Sequence, residues 1–190
     1  MQKLISIRVL LAAFLLTAAL SAQTALPPLD LAVTYSPTRA NTVHANGSFW
    51  LHGGAVQAHS RLWRDLGAVV EFSGSHTASA NNSGLGLDLY TLTAGPRYTW
   101  RAPNTRLTLY AQALVGGAFG RNSMFPNGAA SPTSDNALAM RFGGGVDARL
   151  THRISLRLVQ ADWQRTYLHN GDNNVQNSLR LGFGVVYRFR

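Results

Sequence analysis

The chain has 190 residues, no cysteine, and 17 Lys and Arg against 8 Asp and Glu, a formal net charge of +9. That length allows one domain behind a short leader, and the missing cysteines exclude disulfides and thiolate metal sites. The basic balance does not read as nucleic-acid binding, because the arginines are spread about one per segment or turn instead of forming a stripe.

Residues 1–22 read as a secretory signal peptide: Lys3 and Arg8, an apolar run from Val9 towards Leu20, then small residues, with cleavage after Ser21 or Ala22. Without Lys3 and Arg8 the remainder, 23–190, keeps 15 Arg, 8 acids and no Lys, a net charge of +7. No later stretch reaches about 18 consecutive apolar residues, so a membrane crossing has to be made by a closed β-barrel.

Eight alternating segments follow. In 28–38, Leu29, Leu31, Val33 and Tyr35 oppose Asp30, Ala32, Thr34 and Ser36. Segment 48–59 has no clear faces. In 66–76, Ala68, Val70 and Phe72 oppose Val69, Glu71 and Ser73. In 86–101, Tyr90, Leu92, Tyr98 and Trp100 oppose Thr91, Thr93, Arg97 and Thr99, while Pro96 asks for a local irregularity. Segment 106–119 is followed by 136–150, where Leu138, Met140, Phe142 and Val146 oppose Arg141, Asp147 and Arg149. Segment 154–167 changes parity between Leu156–Leu158 and Asp162–Trp163, so a bulge is expected near Gln160. In 177–190 the alternation is strict, from Leu179 to Phe189 on one side and with Arg180 and Arg188 on the other. That last run exceeds the roughly 5–6 residues of an ordinary strand and suits the 9–11 or so that cross a bilayer at a tilt.

The connections alternate as well. Those at 60–65, 102–105 and 151–153 are short, and those at 39–47, 77–85, 120–135 and 168–176 are long. Eleven of the twelve Asn lie in or beside the long ones, as expected of a residue that favours turns over strands. The short turns carry Arg61, Arg64, Arg101, Arg106 and Arg153 instead, expected at the inner-leaflet headgroups. Alternation alone leaves two barrels open: a membrane barrel, apolar outside, and a lipocalin-like soluble barrel, apolar inside. The Arg-and-Gly polar face and the aromatic residues near strand ends (Trp50, Tyr90, Trp100, Trp163, Tyr167, Tyr187) favour the membrane form. The expected fold is all-β: an eight-stranded antiparallel up-and-down transmembrane β-barrel with periplasmic termini.

Gly95-Pro96-Arg97-Tyr98, Phe142 to Asp147, Arg157 through Asp162-Trp163 to Arg165-Thr166, and Gly184 to Phe189 resemble the OmpA-like eight-stranded outer-membrane β-barrel superfamily, above all its small outer membrane protein beta-barrel domain members. The resemblance covers the whole of 23–190. It implies an integral protein of the bacterial outer membrane, in contact with its lipid bilayer, assembled by the barrel-assembly machinery and needing no cofactor. Members of this kind usually end on an aromatic residue read by that machinery; here Arg190 follows Phe189. No peptidoglycan-binding domain is expected after the barrel, so no cell-wall tether is implied.

Parity puts Asp30, Glu71, Arg97, Arg141, Asp147, Arg149, Arg157, Arg180 and Arg188 in the lumen, with Asp162 and Arg165 added after the bulge. An eight-stranded barrel is just wide enough for side chains to fill, so a salt-bridged plug is the first expectation and a narrow anion-preferring pore or ligand-binding barrel the second. The six histidines show no metal-ligand spacing and are expected to be solvated, with no metal site. Enzymes on such scaffolds need a Ser-His or Asp-His pair at the outer rim; His169 with Asp172, or His76 with Ser75, are candidates without a motif, and no enzyme is expected. Met124 and Phe125 form an apolar tip in the longest loop, a candidate for recognition of an unknown surface ligand.

Overall fold

Nine strands account for the alternating segments: β1 (Leu29–Tyr35), β2 (Thr38–Asn41), β3 (Ser48–Trp63), β4 (Leu66–Thr77), β5 (Leu87–Arg101), β6 (Leu107–Arg121), β7 (Ser134–Arg149), β8 (Ile154–Thr166) and β9 (Gln176–Phe189). The computed structural model describes residues 28–41, 48–80, 84–126 and 131–189. The expected signal peptide, His44 and Arg190 lie outside them. From β2 onward each strand pairs antiparallel with the next, and β1 and β2 both pair with β3 on one side and β9 on the other, closing the ring. β1 and β2 are one stave broken at Ser36–Pro37. Proline has no N–H to give to a ladder, yet the register of β1 with β3 carries on unshifted into β2. The ring therefore has eight staves.

Which face is inside is settled by burial. Val33 is 62% exposed, and Val70, Phe72, Leu92, Phe142, Leu179 and Val185 stand out beside it on the outer surface. Thr34, Gln57, Glu71, Thr93, Arg97, Arg141 and Arg157 are buried. This is a barrel with an apolar exterior and a polar interior, the arrangement a hydrocarbon surrounding demands; the lipocalin-like alternative fails. β3, unreadable from its sequence, points Leu51, Ala55, Gln57 and His59 inward and Trp50, Val56 and Leu62 outward.

The expected irregularities occur. On β8, Arg157 pairs with Gly184 and Gln160 with Gly182, so Leu158 and Val159 together face one residue of β9. Both point outward, and the parity of the strand resets. Around Pro96, the β5–β6 ladder skips from Ala94–Val115 to Arg97–Gln112 without changing register. Trp50, Tyr90 and Trp163 stand outward near the loop end, and Trp100 and Tyr187 near the turn end, in the two bands expected of interfacial aromatics. Tyr167 lies just past the end of β8, half-buried under Arg165.

The seam between β1 and β9 is tight at Gly184, where a Cβ would run into the Val33 carbonyl oxygen and come within 2.7 Å of Thr34 Cα. Because both obstacles are backbone, Gly184→Leu is expected to cost about 1–3 kcal/mol. The measurement is heat-modifiability: the wild-type barrel migrates differently before and after boiling on a denaturing gel, and the variant loses that difference at a lower temperature.

Candidate functional site

The centre of the interior is organised by Glu71 on β4, which is 1% exposed. Its carboxylate accepts from Arg141 of β7 and Arg180 of β9, and from Gln57 Nε2 of β3 at 2.7 Å. Arg141 donates further to Thr91 Oγ1 (2.9 Å) and Gln164 Oε1 (2.6 Å), and Arg180 to Ser36 Oγ (3.0 Å). One carboxylate thus ties staves on opposite sides of the ring.

A second layer lies towards the turn end. Arg97 and Arg157 both lie over the Tyr110 ring, their guanidinium carbons 4.1 and 4.7 Å from its centre. Arg97 donates to Gln57 and Gln112; Arg157 donates to Asp147 (2.9 Å), Gln57 and Gln160 (both 2.8 Å). Asp162, with no exposed surface, accepts from Gln160 Nε2 at 2.6 Å and Gln112 Nε2 at 3.3 Å and lies 3.7 Å from Arg180. It has room because its neighbour across the ladder is Gly143, where a Cβ would collide with the Asp162 carboxylate.

Four arginines, Arg97, Arg141, Arg157 and Arg180, are therefore buried around Glu71, Asp162 and the half-buried Asp147. Isolated buried charges cost several kcal/mol each, and here nearly every guanidinium finds a carboxylate, an amide oxygen or a ring face. The exceptions are the Nε atoms of Arg141 and Arg180, buried without a hydrogen-bond partner. Gln57, Gln112, Gln160, Gln164 and Tyr110 complete the network and are absent from a reading based on charge. Their inward parity was the available signal, masked on β3 by unclear alternation.

Several expected placements change. Arg165 is not in the lumen: after the bulge Asp162, Gln164 and Thr166 point in, so Arg165 points out, in register with Met140 and Asn177 and 5.3 Å from the Tyr167 ring. Arg188 and Arg149 are inward but sit at the turn-end mouth; Arg188 donates to Asp30 at 3.0 Å. Arg61 and Arg101, expected at the headgroups, line that same mouth because the ends of β3 and β5 keep inward parity, and Arg106, in the turn before β6, lines a recess beside it. His59 is not solvated; it is buried 3.8 Å from Asp30. His76 bonds Asp88 (2.6 Å) and His169 bonds Asp135 (2.9 Å), so the candidate partners Ser75 and Asp172 are not the ones these histidines hold. Among the described residues no group of three or more His, Asp or Glu is placed to hold a metal ion.

The loop end differs in character. Phe125 is not an exposed tip: at 6% exposure it folds down onto Gly120 and packs with Leu89, Ala118, Ala139 and Leu168. Met124 stays 59% exposed. Above this cluster lies an apolar cup of about 330 Å³, walled by residues including Phe49, Leu51, Leu85, Leu87, Met124 and Phe125, with His169, Asn170 and Gln176 at its polar side.

Residues 9–189 match the family described as outer membrane protein beta-barrel domain. Among solved structures the chain is similar to Neisserial surface protein A (18% identity, 85% of this chain and 97% of that one, TM-score 0.64). It is also similar to Ail, the attachment invasion locus protein of Yersinia pestis (17%, 86% and 99%, TM-score 0.58), and to the outer membrane protein OprG from Pseudomonas aeruginosa (8%, 86% and 96%, TM-score 0.50). At these identities the likeness is one of fold. No curated protein sequence matches the chain.

Removing the shared carboxylate leaves the buried Arg141 without its counter-ion and Arg180 with only Asp162, 3.7 Å away. Glu71→Ala is expected to lower stability by about 3–5 kcal/mol, read as an earlier urea midpoint for the protein folded in lipid vesicles. Asp172→Asn, on an exposed loop residue, should leave the midpoint in place; equal midpoints for both variants would contradict a structural role for Glu71.

Proposed function

Because the chain belongs to the outer membrane protein beta-barrel domain family and sits in the bacterial outer membrane, we propose that it is a non-enzymatic surface component: a barrel closed by its own side chains that holds four loops outside the cell. The observation that carries this reading is the central network, in which Glu71, Asp162, Arg97, Arg141, Arg157 and Arg180 are all buried and hydrogen-bonded to side chains of other staves. The loop end faces the medium and the turn end the periplasm, in keeping with the short Arg64–Asp65 turn at one end and the long 122–133 connection at the other. Biogenesis passes through the barrel-assembly machinery, with the alternating β9 as the segment offered to it.

A second reading rests on the apolar cup. Its 330 Å³ falls within the 300–1,000 Å³ or so of ordinary small-molecule sites, and its position makes a small apolar ligand, taken from the medium, the suitable occupant.

The two readings are tested separately. In planar bilayers the purified protein is expected to give no resolved single-channel steps; regular steps would overturn the closed lumen. For the cup, N-phenyl-1-naphthylamine fluorescence is expected to rise saturably with wild type and to lose that rise in Leu87→Glu, which sets a charge in the cup wall. An unchanged rise in the variant would place the probe elsewhere.

A further inference from the structure

The turn-end mouth holds a different kind of cavity from the cup. A basin of about 480 Å³ is lined by Arg61 of β3, Arg101 of β5, Arg149 of β7 and Arg188 of β9, together with Asp30 and His59. The four arginines come from every second stave, so their guanidinium groups surround the barrel axis. Arg106 joins Arg101, Arg149 and Arg188 in an adjoining recess.

The carboxylates nearby are already engaged. Asp30 is bonded to Arg188 and faces His59. Asp147 is held by Arg157 in the layer above. Asp65 lies 3.8 Å from Arg101 at the exposed turn. Arg61, Arg149 and Arg106 have no carboxylate partner among the described residues, although Arg61 and Arg149 line the basin and Arg106 the recess beside it.

Such a constellation is costly without an occupant, since like charges confined in a strand-walled mouth repel, and a cleft lined by one sign of charge concentrates counter-ions. Guanidinium forks match the paired oxygens of carboxylates and phosphates. We propose that the turn-end basin binds a multivalent oxyanion of phosphate or polycarboxylate type. The anion comes from the aqueous phase: the basin opens along the barrel axis, and the staves that wall it off present Leu29, Trp63, Trp100 and Tyr187 to the lipid at the same level. Its inner end is narrowed by the Arg97–Tyr110–Arg157 layer, which makes it a blind site. The proposal goes beyond a closed surface barrel and concerns the opposite end of the molecule from the loops.

Inorganic pyrophosphate titrated calorimetrically into the full chain, folded in non-ionic detergent at low ionic strength, tests it. Saturable binding is expected, weakened about tenfold or more by either Arg61→Gln or Arg149→Gln, as loss of one charge-assisted contact implies. Arg153→Gln, at an exposed turn position outside the basin, should bind as wild type does. Heat-modifiability of each variant verifies the folded barrel; since Arg61 and Arg149 have no carboxylate partner, both variants should keep it. Affinity that is the same in phosphatidylcholine and phosphatidylglycerol nanodiscs assigns the site to a soluble anion. The proposal is overturned by no saturable heat, by equal weakening in Arg153→Gln, which would mean diffuse charge, or by loss of binding in phosphatidylglycerol, which would make a lipid headgroup the occupant.

Discussion

The Glu71 carboxylate is the point on which the interior turns. A barrel of eight staves brings inward side chains from opposite walls within reach of one another, and its outer face cannot shelter a polar group. Every inward position must therefore find a partner across the lumen or beside it on the ladder. Glu71 answers three such demands at once, from Arg141, Arg180 and Gln57. With those side chains fixed, Thr91, Gln164 and Ser36 are drawn into the same lattice, and the Tyr110 layer can stack beneath it. The order of a hydrophobic core is exchanged here for the order of a polar one, in which geometry is dictated by direction as well as volume.

The strand plan was legible because period two is a strong constraint when one face meets lipid. Val70 against Glu71, or Leu179 against Arg180, can be read in one way only once a barrel is assumed. The parity slip on β8 was legible for the same reason: Arg157 and Asp162 cannot both face inward on a regular strand. The same reasoning should have turned Arg165 outward, but its charge outweighed its parity. The neutral members of the network escaped because a glutamine announces nothing by itself; only the pairing of Gln57, Gln112 and Gln160 with arginines gives them a role. The burial of Phe125 is not legible in its sequence, because a loop sequence does not say how far the chain folds back over the mouth.

The two ends of the lumen are chemically unlike. At the loop end the inward residues are Leu89, Ala118, Ala139 and Leu168, closed over by Phe125. At the turn end they are arginines beside Asp30 and His59. The central network separates a small apolar chamber from a cationic one, so a solute suited to either is unsuited to the other. This polarity along the axis follows from which residues occupy the last inward position of each strand, a feature independent of the strand pairing that closes the ring.

The doubled residue on β8 also bears on how such a chain can change its length. Away from this point and from the register shift at Arg61–Trp63 of β3, losing one residue from a strand would turn every side chain beyond it to the opposite face and send buried arginines towards the hydrocarbon. At Leu158–Val159 the two residues share one position against β9, so the loss of either would leave Arg157 and Gln160 both facing inward and the two ladders regular. The bulge is thus a slack link in a stave otherwise intolerant of insertion and deletion.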